Sequence, residues 1–444
     1  MPKDKKNGNE AIPEELDGLV GHVAGNAASG HQFADPVRLF ADPDPGNDEV
    51  SFHEPNVDER YYTTGYYKEH QNEIQPFPRP LPDPPRIDLS QILGPRLLQP
   101  IVEGQVVAFH AVGDTGANTE SLIGGEHAVT DAMAAEVEHP EGAAPAFLFH
   151  LGDAVYSFGE SQYYYDQFYE PFRRYDRPIF ALAGNHDGAV YGPDPNTPVA
   201  PTLEAFLRNF CANAPASSPD APGVARTTMT QPGVYFTLDA PCVSIIGLYS
   251  NVLEHPGVIS SQGGRFALPD DQLAFLQAEL ERLKPEREEL KRAVVLAMHH
   301  PPVSFDGTHG SSPVMANEID AVCAKAGLWP DVVLSGHAHL YQRFNRQIKE
   351  REIPYIVAGS GGHLLNRPRA DLPAAGTDVG NYEMAIQPIP ELGYLTVTID
   401  LKAAPKTITG TFHSQAAQPS EDVFELNLES GRVTTIKPQG AKKK

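Results

Sequence analysis

Short apolar runs, each closed by a turn and then by Asp, Asn or His, recur through the middle of the chain. The run Ala146-Phe-Leu-Phe149 is continuous rather than alternating, which predicts a strand buried on both faces. It leads into His150-Leu-Gly-Asp-Ala-Val-Tyr156. Gly152 lets the backbone break out of the strand. Asp153 then falls just past the strand's C-terminal end, where open α/β sheets gather their ligands. Tyr156, three residues on, can point back to the same place.

Four more segments share this grammar. The run Gln105-Val-Val-Ala-Phe109 leads to Gly113-Asp-Thr-Gly116, and Pro178-Ile-Phe-Ala-Leu182 delivers Gly184-Asn-His-Asp187. Strands at 293–297 and 331–334 deliver His299-His300 and Gly336-His-Ala-His339. Val129, Met133 and Val137 stand at helical spacing and predict a helix over 126–138. A tyrosine-rich helix is expected over 162–175, with Tyr163, Tyr164 and Tyr165 serving packing and surface. A short helix follows at 203–210, inside loops rich in Pro, Ser and Asn at 193–201 and 214–230. Asp270 or Asp271 can cap a helix running to Leu283, whose buried stripe is Leu273, Leu276, Leu280 and Leu283. Residues 234–238 and 243–246 read as a hairpin. Further strands are expected at 355–358, 394–398, 407–409 and 423–428. The fold class is therefore α/β.

The ends differ from the middle. Prolines crowd Gln75-Pro-Phe-Pro-Arg-Pro-Leu-Pro-Asp-Pro-Pro85, which favours polyproline II and rules out an ordinary helix there. Residues 40–49 are acidic and turn-rich. The expected organisation is an N-terminal arm over 1–100, wrapping the core or partly disordered, a catalytic domain over 101–430, and a C-terminal tail over 431–444 ending in a solvated Lys442-Lys-Lys444.

The formal net charge of -24 argues against binding nucleic acid or an anionic membrane surface. An acidic chain acting on anionic substrates must gather positive charge locally, which bound metal ions do. Cys211, Cys242 and Cys323 have no metal-ligand spacing, and free thiols in a reducing compartment are the expectation. With no secretory-type apolar run after Met1, the expected location is cytoplasmic.

The candidate ligands are Asp114, Asp153, Asn185, His299, His337 and His339. Mixed oxygen and imidazole donors suit iron, zinc or manganese rather than calcium or magnesium. They are too many for one catalytic ion with an open position, and about right for two ions sharing a carboxylate. Such a pair, about 3.5–4 Å apart, can clamp a phosphoryl group and activate water.

Taken together, Gly113-Asp-Thr-Gly116, Gly152-Asp-Ala-Val-Tyr156, Gly184-Asn-His-Asp187, the strand ending at His299, and Gly336-His-Ala-His339 resemble the calcineurin-like metallophosphoesterases, and within them most the purple acid phosphatases. The resemblance covers roughly residues 105–362. It implies a four-layer α-β-β-α sandwich with an irregular N-terminal extension. It also implies a dinuclear centre in which Asp114, Asp153, Tyr156 and His339 hold the first metal. Asp153 would bridge to a second, held by Asn185, His299 and His337. The wider superfamily carries Asp-x-His in its first motif. Here Gly116 takes the third place and Tyr156 is present, the exchange that marks the purple acid subgroup. A phenolate in place of an imidazole adds negative charge and favours Fe(III), paired with divalent Fe, Zn or Mn.

The activity so implied is hydrolysis of a small phosphate monoester by in-line attack of a metal-bound hydroxide. His186 would bind phosphate oxygens or protonate the leaving group, with Asn185 also facing the substrate. The alternatives are a phosphodiesterase acting on cyclic nucleotides or other diesters with a divalent pair, and a metal-binding scaffold without catalysis. His300 is expected beside the ligands, in catalysis, substrate contact or support of the ligand shell. His309, in Asp306-Gly-Thr-His-Gly310, lines the substrate mouth or is an exposed loop histidine. Asp187 orients His186 or caps a turn. Gly359-Ser-Gly-Gly-His363 is a phosphate nest or a tight turn. His110 is expected to pack on its strand.

Overall fold

The computed structural model describes residues 78–188, 203–251, 257–266 and 268–436. The expectations for residues 1–77, for the loop at 193–201 and for Lys442–Lys444 lie outside them. Two sheets carry the described chain. One has nine strands, in the order Arg86–Asp88, Phe236–Ala240, Val243–Leu248, Ala293–Met298, Val332–Ser335, Arg351–Ala358, Tyr341–Ile348, Tyr382–Met384 and Thr377–Val379. The other has seven: Arg432–Ile436, Glu421–Asn427, Thr407–Ser414, Gly393–Asp400, Val106–Val112, Pro145–His150 and Ile179–Ala181.

Side-chain alternation stacks the layers. Phe147, Phe149 and Leu151 meet Phe236, Ile245, Val295 and Leu334 between the sheets. The intervening Leu148 packs outward in the cluster that holds Val129 and Met133 of the helix Glu120–Glu138. Ile246 and Leu296 of the larger sheet likewise join Leu276 and Leu280 of Asp271–Glu288, and Met315 and Ile319 of Pro313–Ala326. The result is an α-β-β-α sandwich. The central strands that end at the candidate ligands are parallel to their neighbours: Val106–Val112, Pro145–His150 and Ile179–Ala181 in one sheet, and Ala293–Met298 and Val332–Ser335 in the other.

Several expectations need correcting. The tyrosine-rich segment is no regular helix: a 3-10 turn at Ser161–Tyr163 runs into a π-helical turn at Tyr165–Tyr169. Within the π-helical turn Gln167 ties the segment to the site loop: its amide accepts from Tyr156 N at 2.8 Å and donates to Tyr156 O at 2.7 Å. The arm boundary at 100 also moves. Arg86–Asp88 pairs with Phe236–Ala240, and a helix occupies Pro95–Gly104. At the other end Arg432–Ile436 is an edge strand rather than tail. The helix predicted to stop at Leu283 continues through Pro285 to Glu288. Cys211, Cys242 and Cys323 are free thiols. No helix among the described residues is long and apolar enough to cross a membrane.

Candidate metal centre

The loops that leave the parallel strands are laced to one another by backbone hydrogen bonds. Asp114 N donates to Gly152 O at 2.9 Å, Gly336 N to His299 O at 3.0 Å, and Gly113 N to Ala358 O at 2.9 Å, the last joining the two sheets. The strand ends must turn sharply to present their side chains. Asp114, Asp153 and His337 all take positive φ, at 59°, 57° and 67°, where a residue with a Cβ is strained. Three such residues meet at one spot, a strain that the surrounding loops must hold in place. Gly184 shows how closely the loops meet: a Cβ there would lie 2.5 Å from Asp153 N and 2.7 Å from its Cγ.

All seven predicted ligands come together, and all are buried. Asp153 is the hub. Its Oδ2 lies 3.0 Å from the Tyr156 hydroxyl and 3.3 Å from His299 Nε2, while Oδ1 accepts from His186 N at 2.9 Å. On one side of it the Tyr156 hydroxyl is 3.3 Å from Asp114 Oδ1 and 3.3 Å from His339 Nε2. On the other, Asn185 Oδ1 is 3.0 Å from His299 Nε2 and 2.9 Å from His337 Nδ1. Donor atoms of Asp153, His299 and His337 lie within 4.8 Å of one another.

The donor chemistry fits cations at both places. His299 Nδ1 faces Leu151 O at 2.8 Å and His339 Nδ1 faces Leu364 O at 2.7 Å. Those carbonyls hold the ring proton on Nδ1 and turn each Nε2 inward as a ligand, the usual outer-layer device of a metal site. Asp114 and Asp153 supply negative charge in a space from which water is largely excluded. Burial raises the Tyr156 hydroxyl well above its ordinary pKa, and the carboxylates of Asp153 and Asp114 push it further. It becomes a phenolate only if a cation sits against it. Asp114, Asp153, Tyr156 and His339 can hold one ion, and Asp153, Asn185, His299 and His337 a second.

Gly116, at the place of the superfamily's missing histidine, leaves no room for one. A Cβ would stand 2.7 Å from Ala154 O, 2.8 Å from Gln167 Oε1 and 3.1 Å from Tyr156 Cδ2. The phenol ring and its supports fill that space.

The neighbouring residues sort as follows. His186 has its ring 4.3 Å from that of Tyr156, with Nδ1 donating to Ser157 O at 2.6 Å, and burial holds its pKa below the ordinary value. Asp187 accepts from the amides of Ala154, Val155 and Gly184, so it caps the loops. Those contacts are to backbone, not to His186. His300 is 1% exposed; Nδ1 and Ser250 Oγ lie 2.9 Å apart, and its ring is 4.2 Å from that of His337. It lies beside the ring of His337, the neighbouring position expected for it. His309 does reach the site, its ring 4.4 Å from His337 and 5.1 Å from His339. His110 lies under the helix layer against Tyr175 and Glu136.

In the 359–363 loop, Gly361 N donates to Gly113 O and His363 N to Asp114 O, so these amides are spent on carbonyls and the loop is a supporting turn. Its side chain is the one the sequence did not announce. His363 lies flat on Tyr156, and its signal was a histidine closing a glycine-rich turn, weighed there only for its backbone.

Among solved structures the chain resembles a purple acid phosphatase, PPD1, from seeds of yellow lupin (Lupinus luteus), with a TM-score of 0.51 and 14% identity over 72% of this chain and 53% of that one. The chain thus spans about half the length of that phosphatase, and the likeness is one of fold. GAP50, the anchor in the inner membrane complex of Plasmodium, aligns with TM-score 0.49 and 12% identity over 76% of this chain and 90% of that one. A dimetal phosphatase from Danio rerio aligns with TM-score 0.42 and 11% identity over 71% and 98%. No curated protein sequence matches the chain. The calcineurin-like phosphoesterase profile matches residues 108–341, which take in the motifs of Asp114, Asp153, Asn185, His299, His337 and His339; the chain belongs to the calcineurin-like phosphoesterase family.

Proposed function

We propose that the protein hydrolyses phosphate monoesters at a pair of metal ions, Fe(III) beside a divalent Fe, Zn or Mn, in the manner of a purple acid phosphatase. The observation that carries this reading is the Tyr156 hydroxyl, 3.0 Å from Asp153 and 3.3 Å from Asp114 and His339, in a space that Gly116 leaves open. The ions would supply Lewis acidity toward the phosphoryl oxygens and lower the pKa of a coordinated water.

The chain's own residues do the rest. Asp153 lies between the two donor groups and is held well below the ordinary carboxylate range: burial raises it, and the charges of His299 and His186 outweigh that. It stays ionised through the acid range. His186 gives its Nδ1 proton to Ser157 O, which leaves Nε2 as the atom that takes up or releases a proton. Because burial lowers its pKa, His186 is protonated in acid, where it can deliver that proton to the leaving oxygen. His309 and Asn366, 2.9 Å apart, border the ligand rings and would meet the ester on entry.

The test compares turnover of p-nitrophenyl phosphate with bis-p-nitrophenyl phosphate across pH. Faster turnover of the monoester with an acid optimum supports the reading. Preference for the diester, at neutral pH and without a visible chromophore, would contradict it.

A further inference from the structure

One histidine reaches the centre from a loop rather than from the end of a ligand strand. His309 stands in Asp306-Gly-Thr-His-Gly310, its ring 4.4 Å from that of His337 and 5.1 Å from that of His339. An imidazole on a loop can turn about two side-chain bonds. It meets a substrate in one orientation only if its neighbours hold it there. Asp306, three residues earlier, is such a neighbour.

Asp306 is 2% exposed, and its contacts gather on one oxygen. Oδ2 accepts from Thr308 N at 3.0 Å and from His309 N at 2.5 Å, and it lies 3.1 Å from His309 Nδ1. Amide contacts of this kind close an ordinary aspartate turn. The turn does not require the third contact, the one to the ring. Burial alone would raise the Asp306 pKa, but hydrogen bonds from the His309 ring and amide outweigh it and hold the carboxyl below its ordinary value. Asn366 meets the same ring atom from the facing loop, with Nδ2 2.9 Å from His309 Nδ1. An ionised carboxylate only accepts and an amide nitrogen only donates, so the two loops engage Nδ1 with or without its proton.

Both supports are tied to the ligand elements. Asn366 N donates to His339 O at 3.0 Å. Asp306 N donates to Ser304 Oγ at 3.1 Å. The buried Gln342, on the strand that follows His339, donates to that hydroxyl at 2.8 Å and accepts from Phe305 N at 2.7 Å. Gly307 N donates to Arg367 O and Arg369 N to Phe305 O, both at 2.9 Å, which joins the two loops.

We infer that Asp306 is a positioning residue of the phosphoesterase site: it fixes the His309 imidazole over the metal centre, so that a bound ester meets the ring in one orientation. Asp306 acts through His309 and not on the ester. The inference rests on the phosphoesterase reading above.

The test is a double-mutant cycle on kcat/KM for p-nitrophenyl phosphate in the metal-loaded full chain. Asp306→Asn keeps an oxygen for the two amides and loses the charge that faces Nδ1. It should lower kcat/KM about tenfold in the wild-type background and less than about twofold in His309→Ala, with metal content unchanged. Asp306→Ser, whose hydroxyl can also close the turn, should show the same dependence on His309 and stands in if Asp306→Asn does not fold. An equal fall in both backgrounds, no fall in either, or loss of metal in the Asp306 variants overturns the inference. The phosphoesterase reading then stands, because the wild type still turns over the ester. A wild type that hydrolyses no phosphate ester overturns both.

Discussion

His363 lies face to face with Tyr156, ring centroids 3.7 Å apart and planes within 1°. The contact is fixed from behind by His363 Nδ1, 2.9 Å from Gly116 O, and by His363 N, which donates to Asp114 O at 3.0 Å. The phenol ring thus has His363 on it and His186 against it, and its hydroxyl aims at two carboxylates. The rings lie nearly face to face rather than offset, so the stack adds no more than about 0.5 kcal/mol, the low end for aromatic pairs. His363→Ala should cost about 1–3 kcal/mol in chemical denaturation, since a half-buried ring and its hydrogen bond go together. His363→Phe should recover most of the stacking share. If Tyr156 is bound to Fe(III), its charge-transfer band should move in both variants and vanish only in Tyr156→Phe. Visible absorption that persists in Tyr156→Phe removes the tyrosine from the ligand set.

The exchange of a histidine for Tyr156 makes Gly116 hard to replace. Gly116→Ala sets a Cβ 2.7 Å from Ala154 O and 3.1 Å from the Tyr156 ring. It should cost about 1–3 kcal/mol and lower metal content, because the loop must shift to make room. Gly116→His combined with Tyr156→Ala removes the ring but leaves Ala154 O and Gln167 Oε1 against the new Cβ, so it should regain only part of the metal, bound without colour. Metal analysis beside a visible spectrum checks both variants. A stable, coloured Gly116→His would show that the space is not shared.

His299 ties metal uptake to pH. Burial alone would lower its imidazole, but the Asp153 carboxylate 3.3 Å away outweighs burial and pushes it up to about 9 in the metal-free protein. A cation must displace that proton. Apparent metal affinity should therefore rise with pH, by up to about tenfold per unit, and level off above the His299 pKa. Calorimetric titrations in buffers of different ionisation enthalpy measure the proton released. Linkage sets the sign for stability. A raised histidine stabilises the metal-free fold fully below its ordinary value of 6.5, and that contribution is lost as pH climbs through about 9. The loss is on the order of 3 kcal/mol, and urea denaturation of chelator-treated protein at about pH 6 and about pH 9.5 should show it. A midpoint that does not fall over that interval contradicts the His299–Asp153 pairing.

Much of this site is legible in the chain because the candidate ligands follow apolar runs, four of them directly after a glycine. The run predicts a buried strand, and the glycine predicts where the chain leaves it; Asp114, Asp153, Asn185 and His337 each stand directly after that glycine. The sandwich is what the family resemblance implies, and the two sheets bear it out. What stayed hidden has physical causes. The strand Tyr341–Ile348 carries the polar side chains Gln342, Arg343 and Arg346, so no apolar run announces it. They are buried because Arg343 pairs with Asp422 and Arg346 with Asp320, partners that only the fold brings near. The helix Pro313–Ala326 had its signals, a proline at its start and Met315, Ile319, Val322 and Cys323 at helical spacing, but lies among loops rich in Gly and Ser. Arg86–Asp88 is three residues long, too short for any period to show. The stacking of His363 on Tyr156 joins residues 207 apart (363 − 156), and no local pattern encodes it.

The most direct test is the metal content of the untagged protein beside that of Asp153→Ala. Asp153 Oδ2 is the atom within reach of both donor groups, so its removal weakens both places together. The wild type should hold two ions per chain, and Asp153→Ala should hold fewer than one and lose phosphoester turnover while keeping its thermal unfolding transition. An Asp153→Ala protein that retains the full complement of metal and its turnover would contradict the shared carboxylate on which the account is built.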